Sequence, residues 1–199
     1  AMLHRPRRLV FTAAALCLLA ACTPTSPTPT PSPAPSYRCT PEAGGDEFDC
    51  TQAQHDEMIA KDKLYAEAEA VYRRYLAEDM RIARSGGVRE PTEELLDAAS
   101  GAFLESAIAE YRRNLKEQIT IEGGEREVKS LTRLVGLTKG GSIVAIRSCV
   151  DATSIRVLKS GKYVGRGLVT QDDLYFGLID SHLKIIGADG RELESCGLA

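Results

Sequence analysis

Cysteine, histidine and the acidic residues of this chain could bind a metal ion or transfer protons. The sequence of 199 residues contains six cysteines and three histidines. A structural zinc site normally gathers such residues at short spacings, but the chain has no Cys-x-x-Cys pair, and only His55 and His182 lie beyond residue 21. We therefore expect no metal and no cofactor. The cysteines are better suited to covalent cross-links, and His182 to acid–base chemistry.

His182 is the best candidate for a general acid or base because Asp180 lies two residues before it. A catalytic base also needs a hydrogen-bond donor across the substrate. The tyrosines that could supply this donor are Tyr163, Tyr175 and Tyr111. However, Asp180-Ser-His182 is also typical of a polar turn between two strands, and we favour this second interpretation. Asp151 could be a catalytic acid, but residues 151–154 are more typical of an Asx or Ser/Thr turn.

The first 21 residues have the parts of an export signal. Arginines at positions 5, 7 and 8 precede an uncharged run over 9–21, which is shorter than the roughly 20 residues that a spanning helix needs. The run ends in Leu-Ala-Ala-Cys22, which resembles the lipobox of bacterial lipoproteins. This resemblance implies that 1–21 are a signal peptide, that cleavage precedes Cys22, and that its thiol carries a lipid such as palmitate.

We therefore expect a protein anchored by lipid on the outer, extracytoplasmic face of the cell membrane. An ordinary Ala-x-Ala secretory site with an incidental cysteine, and an uncleaved anchor, stay open as alternatives. Residues 23–36 contain only Pro, Thr, Ser and one Ala. Such a segment favours polyproline II and could extend to roughly 40 Å. We predict that 22–36 form a lipidated stalk.

The net charge of the chain narrows the classes of molecule that it could bind. The formal net charge of −3 falls to about −6 when the three arginines of 1–21 are removed, because that segment contains no acid. An acidic chain of this kind is unsuited to nucleic acid. The remaining length, about 160 residues, is enough for one domain with a sizeable core.

Four cysteines remain after the signal peptide and Cys22 are set aside. An even number in an oxidising compartment favours disulfides, and three pairings are possible. We favour Cys39 with Cys50 and Cys149 with Cys196, because each pair joins cysteines of one region. Loop-closure entropy gives about 3 kcal/mol for the first bridge and about 4 kcal/mol for the second. We expect the first in a segment over 37–54 that precedes the domain of residues 55–199.

The spacing of apolar residues predicts three helices. The segment 54–84 carries one apolar stripe, formed by Leu64, Ala68, Val71, Tyr72, Tyr75 and Leu76. Gly86-Gly87 should end this helix. Thr92 is a suitable N-cap for a second helix, and Ser100-Gly101 should separate it from a third.

From residue 118 onward, β-branched residues and glycine turns predict consecutive antiparallel strands. The predicted strands are 117–121, 127–137, 142–150, 154–159, 167–180 and 182–187, with turns at 123–124, 140–141, 160–161 and 189–190. Helices followed by strands predict an α+β fold in which the helices cover one face of a curved antiparallel sheet.

The run Ser142-Ile-Val-Ala-Ile-Arg-Ser-Cys-Val-Asp-Ala-Thr-Ser154, with a later Ser-Gly-Lys turn and Cys196, resembles lipoprotein members of the nuclear transport factor 2-like superfamily from actinobacteria and their phages. The resemblance covers roughly residues 55–197 and implies a cone-shaped fold with three N-terminal helices. The chain departs from the family in having no Trp, where the family often has one in the penultimate strand; here that place holds His182-Leu-Lys-Ile.

This fold hosts both enzymes and non-catalytic domains, so it does not by itself fix a function. We favour a non-catalytic domain that binds a small apolar ligand or a protein partner. One alternative is an isomerase or cyclase acting on a small apolar ketone, and another is a prophage-encoded lipoprotein that excludes superinfecting phage. Homodimers are common in the superfamily. The candidate pocket residues are Tyr72, Tyr75, Tyr111 and His182.

Overall fold

A computed structural model describes residues 36–197 of this chain. The predicted signal peptide, Cys22 and the stalk lie outside the described residues. The part from Ser36 onward forms one compact unit. Within the described range, no helix has both the length and the apolar character needed to cross a membrane.

The described chain starts with a short hairpin closed by a disulfide. Strand β1 (Tyr37–Cys39) pairs antiparallel with β2 (Phe48–Cys50). The disulfide joins Cys39 to Cys50, whose Cα atoms are 5.9 Å apart, and both cysteines are buried. The first predicted cross-link is therefore confirmed, although the sequence pattern did not predict the strands.

Helix α1 (Gln52–Ser85) follows the hairpin directly and is defined at both ends by local signals. The Thr51 hydroxyl accepts a hydrogen bond from the Gln54 amide, and the Gln54 side chain accepts one from the Thr51 amide, which is a capping box. Gly86 ends the helix with a left-handed φ of 88°. Gly87 packs closely against the backbone of Tyr111, because a Cβ at position 87 would overlap the Tyr111 carbonyl oxygen.

Two shorter helices follow, α2 (Glu93–Ala98) and α3 (Gly101–Glu117). Thr92 caps α2 by accepting from the Leu95 amide at 3.3 Å, as the sequence predicted. The chain separates the two helices at Ser100, whose amide donates to a carbonyl of the sheet. The prediction of three helices in this order is confirmed.

The strands form two antiparallel sheets in addition to the N-terminal hairpin. The larger sheet has the order β4-β5-β8-β9, and the smaller has the order β3-β6-β7. The larger sheet consists of β4 (Glu127–Arg133), β5 (Val144–Asp151), β8 (Val169–Ile179) and β9 (His182–Leu193). The smaller sheet consists of β3 (Ile119–Glu122), β6 (Arg156–Lys159) and β7 (Lys162–Arg166).

This arrangement confirms an α+β fold but corrects the predicted meander. Strand β3 pairs with β6, and β5 pairs with β8, so neighbours in the sequence are not always neighbours in a sheet. Strand β7 was not predicted, because its Lys, Gly and Arg residues weaken the strand pattern. The predicted turn at 189–190 is wrong, since both residues lie inside β9 and pair with β8.

Helix α1 packs on one face of the larger sheet, which we call the inner face and which carries Ile146, Ser148, Leu174 and Phe176. These residues alternate along β5 and β8, as expected of a strand with one buried side. The residues that complete the core are buried members of α1, α2, β5 and β9, among them Ala68, Val71, Tyr72, Ala98, Val144, Leu183 and Ile185.

The opposite, outer face of the larger sheet carries the second disulfide. Cys149 of β5 bonds to Cys196, with Cα atoms 5.8 Å apart, which confirms the second predicted pairing. Cys149 is only 5% exposed. The bridge ties the C-terminal segment that follows β9 to β5, two strands away in the sheet.

Candidate functional site

A cavity of about 520 Å³ lies between α1, α3, the smaller sheet and one end of the larger sheet. This volume is in the range of small-molecule sites. Most of the lining is apolar or aromatic, from Tyr72, Tyr75, Leu76, Phe103, Ile121, Val150, Ile155, Val157, Leu168 and Leu174. The polar and charged lining residues are Glu110, Arg126, Arg166, Thr170 and Asp172.

Short side chains at this end of the inner face leave the cavity open. In the register of the larger sheet, Ser148 lies opposite Asp172, and Asp172 lies opposite Gly190. A Cβ at Gly190 would overlap an oxygen of the Asp172 carboxylate, so a larger residue there would displace this carboxylate. Ala188 lies two residues away on β9 and also lines the cavity. The short side chains at this end of the sheet therefore leave the space above them unfilled.

Asp172 is a carboxylate inside the cavity with little to balance its charge. Its Oδ2 atom accepts a hydrogen bond from Thr170 Oγ1 at 3.1 Å. Burial raises the pKa of Asp172 above its ordinary value, and the Thr170 hydrogen bond and the charge of Arg126 oppose this rise only in part. No Lys or Arg lies within salt-bridge distance of it among the described residues.

Arg126 is held in place by a buried network behind the cavity. Its guanidinium forms an ion pair with Asp79, which is 5% exposed. The hydroxyl of Tyr111 donates to the other Asp79 oxygen at 2.6 Å. Burial raises the pKa of Tyr111, and its neighbours Tyr75 and Asp79 raise it further. The charge of Arg126 is therefore largely balanced by Asp79.

Tyr72 lines the cavity and is also part of the hydrophobic core. Its hydroxyl donates to the Ser148 Oγ atom at 2.9 Å. Burial raises the pKa of Tyr72 to about 12, so the phenol is neutral at physiological pH. The hydrogen bond to Ser148 ties the Tyr72 hydroxyl to the larger sheet.

The structure brings together two of the four predicted pocket residues. Tyr72 and Tyr75 line the cavity. Tyr111 is buried behind it, 3% exposed and bonded to Asp79. His182 does not line the cavity; it is exposed at the β8–β9 turn, where its Nδ1 atom lies 2.8 Å from the Asp180 carbonyl oxygen. The favoured interpretation of this segment as a turn agrees with the left-handed φ values of Asp180 and Ser181.

The other acid–base candidates are Asp151, Tyr175 and Tyr163, and the structure places each of them away from the cavity. The carboxylate of Asp151 accepts from the Thr153 amide at 2.9 Å and from its hydroxyl, which is an Asx turn and lowers the pKa of Asp151. Tyr175 donates to Asp189 at 3.0 Å on the outer face. Tyr163 is half exposed on β7. None of the three lines the cavity described above.

Sequence reasoning missed Asp172 and Arg126. A signal for Asp172 exists, because Thr170, Asp172 and Leu174 alternate with residues of the opposite face in a predicted strand. A charged residue at an inward position of a strand is unusual and indicates either an ion pair or a site. Arg126 had no comparable signal, since it lies in a loop and reaches Asp79 from 47 residues away.

The arrangement suits binding better than proton transfer. The cavity offers a large apolar surface, the carboxylates of Asp172 and Glu110, and the guanidinium groups of Arg126 and Arg166. Among the described residues, no group of three or more His, Cys, Asp or Glu side chains could hold a metal ion.

Comparison with known proteins does not assign a family. No family model matches the chain, and no curated protein matches it. A solved structure that matches is a de novo designed β-sheet protein determined in solution by NMR. It is 15% identical and has a TM-score of 0.33, over 61% of this chain and 88% of that chain. A likeness this weak carries no argument about fold or function.

Proposed function

We propose that this protein is an extracytoplasmic lipoprotein, anchored through Cys22, whose nuclear transport factor 2-like domain binds a small, largely apolar molecule without transforming it. The order of a long helix, a short helix, a third helix and then antiparallel strands supports the choice of superfamily. The two disulfides support an oxidising compartment. The N-terminal sequence supports the anchor.

The cavity of about 520 Å³ is the observation that carries the binding function. This space is a cleft open to solvent on one side, and the short or polar side chains of Asp172, Gly190 and Ala188 on the sheet leave it unfilled. The walls expose apolar and aromatic surface, which favours a ligand with an apolar body. The few polar groups would then fix its orientation.

The hydrogen bonds of Tyr72 and Tyr111, in and behind the cavity wall, argue against catalysis. An isomerase or cyclase needs a hydroxyl that can donate to the developing enolate opposite the base. Tyr72 donates to Ser148, and Tyr111 donates to Asp79. The hydroxyls of Tyr72 and Tyr111 are thus committed to structural partners.

The binding function is tested with 4-phenylbutan-1-ol, a neutral apolar probe, titrated into the full chain in a nonionic detergent with a micelle-only blank. We expect saturable binding, which Ala188→Phe should abolish by filling the cavity. Ala70→Phe is the matched control because it places the same ring on an exposed position of α1. Absence of saturable binding to the unmodified chain, or equal binding by both variants, would contradict the function.

The anchor is tested separately by Cys22→Ala. We expect this variant to lose labelling by radioactive palmitate and to leave the membrane fraction, because the acylated thiol is gone. The variant should keep the melting temperature of the domain. Palmitate labelling that persists in the variant would show that the lipid is attached elsewhere or that the signal is not a lipobox.

A second candidate function, isomerisation of a small apolar ketone, is favoured by one observation, the position of Asp172. A carboxylate with a raised pKa inside an apolar cavity is suited to general-base catalysis. The test is incubation with a β,γ-unsaturated ketone while the absorbance of the conjugated product is followed. Turnover that Asp172→Asn removes would replace binding with catalysis as the function of the cavity.

A further inference from the structure

The charged groups of the cavity do not balance one another. Arg126 is neutralised by Asp79. Glu110 is exposed and lies 3.8 Å from Arg113, so solvent and a neighbour screen it. Asp172, in contrast, is held on the sheet inside the cavity with Thr170 as its hydrogen-bond donor. Asp172 is half-buried, and a partly desolvated carboxylate without a counter-ion is unfavourable, so a ligand that supplies a positive charge would relieve that cost.

The surroundings of Asp172 fit an organic cation. The aromatic side chains Tyr72, Tyr75 and Phe103 line the same cavity, and aromatic rings attract cations that also need an apolar environment. Arg166 is the cationic lining residue without a salt-bridge partner among the described residues. It is exposed at the end of β7, where solvent and salt screen its charge.

We propose that the cavity selects a small organic cation, a protonated amine on an apolar body, with the ammonium group on Asp172 and the apolar body among the aromatic side chains. This inference rests on the proposed binding function and names its ligand class. An anionic ligand is disfavoured, because a carboxylate in this space would approach Asp172, while the guanidinium of Arg126 is already paired with Asp79.

The test compares three probes that share one apolar body: 4-phenylbutylamine, 4-phenylbutan-1-ol and 4-phenylbutanoate. Each is titrated calorimetrically into the full chain in nonionic detergent at pH 7, with a micelle-only blank. We expect the amine to bind about tenfold more tightly than the alcohol, because an ion pair and aromatic contacts are added. The carboxylate should bind most weakly.

Two variants separate the role of Asp172 from the general charge of the protein. Asp172→Asn should weaken binding of the amine to about the level of the alcohol, so that the preference for the amine is lost. Asp173→Asn makes the same change of charge one residue away, on the outer face, where Asp173 pairs with Arg147 at 2.6 Å. This control should keep the preference for the amine.

The outcomes distinguish the two proposals. If the alcohol and the amine bind equally, if the carboxylate binds most tightly, or if Asp172→Asn leaves the preference intact, the cation inference fails and the binding function stands. If none of the three probes binds, the binding function itself fails. A preference that is lost equally in both variants would assign the effect to long-range charge and would also overturn the role of Asp172.

Discussion

The two ends of the inner face of the larger sheet are built from the same strands and differ in what covers them. At one end, Phe176 of β8 lies beside Ile185 of β9, and both are fully buried against α1 and α2. At the other end, Asp172 of β8 lies beside Gly190 of β9, and the space above them is open. The change takes place over four residues of one strand.

This difference shows how one sheet can supply stability and a binding site at the same time. Large side chains at the closed end bury enough apolar surface to hold the helices in place. Small or polar side chains at the open end leave a cavity between the sheet and helices α1 and α3. We therefore expect substitutions at the closed end to act on stability, and substitutions at the open end to act on binding.

The largest effect should come from Phe176→Ala at the closed end. Removing a fully buried phenylalanine leaves a void in the core, and we expect a loss of about 3–5 kcal/mol in the free energy of unfolding. Denaturation in urea measures this loss. Leu178→Ala, on the same strand but 56% exposed, is the control and should change stability by about 0.5 kcal/mol or less. Equal losses of stability in Phe176→Ala and Leu178→Ala would contradict the assignment of stability to the closed end.

The next effect should come from the disulfide on the outer face. Cys149→Ala opens the bridge to Cys196, which closes a loop with a sequence separation of 47. We expect a loss of about 2–4 kcal/mol, because the unfolded chain gains freedom. Thermal melting and mass-spectrometric mapping of the remaining cross-link are the measurements.

Cys39→Ala serves as the comparison for this second effect. It opens the loop of the N-terminal hairpin, where the separation is 11, and the shorter loop should give the smaller loss. An unchanged melting curve in Cys149→Ala would show that the C-terminal segment is held by its other contacts.

The smallest effect on stability should come from Asp172→Asn at the open end. The folded state raises the pKa of Asp172 above its ordinary value of 3.8, so the ionised form destabilises the folded protein at neutral pH. Asparagine cannot ionise, and we expect its melting temperature at pH 7 to be higher by roughly 2 °C. The gain should shrink as pH falls through the raised pKa and vanish below the ordinary value.

Asp151→Asn provides a control of opposite sign. The Thr153 hydroxyl and amide lower the pKa of Asp151 in the folded state, so its ionised form stabilises the fold above its ordinary pKa. That variant should not gain stability at pH 7. If Asp172→Asn melts at or below the temperature of the unmodified protein, the carboxylate has a stabilising partner that the geometry does not show.

The helices could be predicted because their ends are set by neighbours in the sequence. Thr92 caps α2 and Gly86 ends α1 through contacts within a few residues. The pairing of strands could not be predicted in this way. Strand β3 meets β6 rather than β4, and the choice depends on contacts between distant segments. The prediction of a turn at Asp189-Gly190 was wrong for the same reason, because pairing with β8 overrides the local preference of these residues for a turn.

The candidate site was predictable in part. The helical stripe placed Tyr72 and Tyr75 on the face of α1 that meets the cavity. Asp172, which carries the polar chemistry, lies in the predicted strand 167–180, and its inward position was not used as a signal. His182 attracted notice by its residue type alone, and the fold places it in an exposed turn. A search by residue type therefore pointed to His182. A search for charged residues at inward positions of a strand would have pointed to Asp172.

The N-terminal disulfide also determines how mechanical force would enter the domain. Tension applied at Ser36 reaches Cys39, crosses the disulfide to Cys50, and continues through Thr51 into the axis of α1. The loop over 40–49 is bypassed and carries no load. A pull on the domain can separate Tyr37 and Arg38 from β2 but stops at the disulfide, from which covalent bonds pass the force to the first turn of the longest helix.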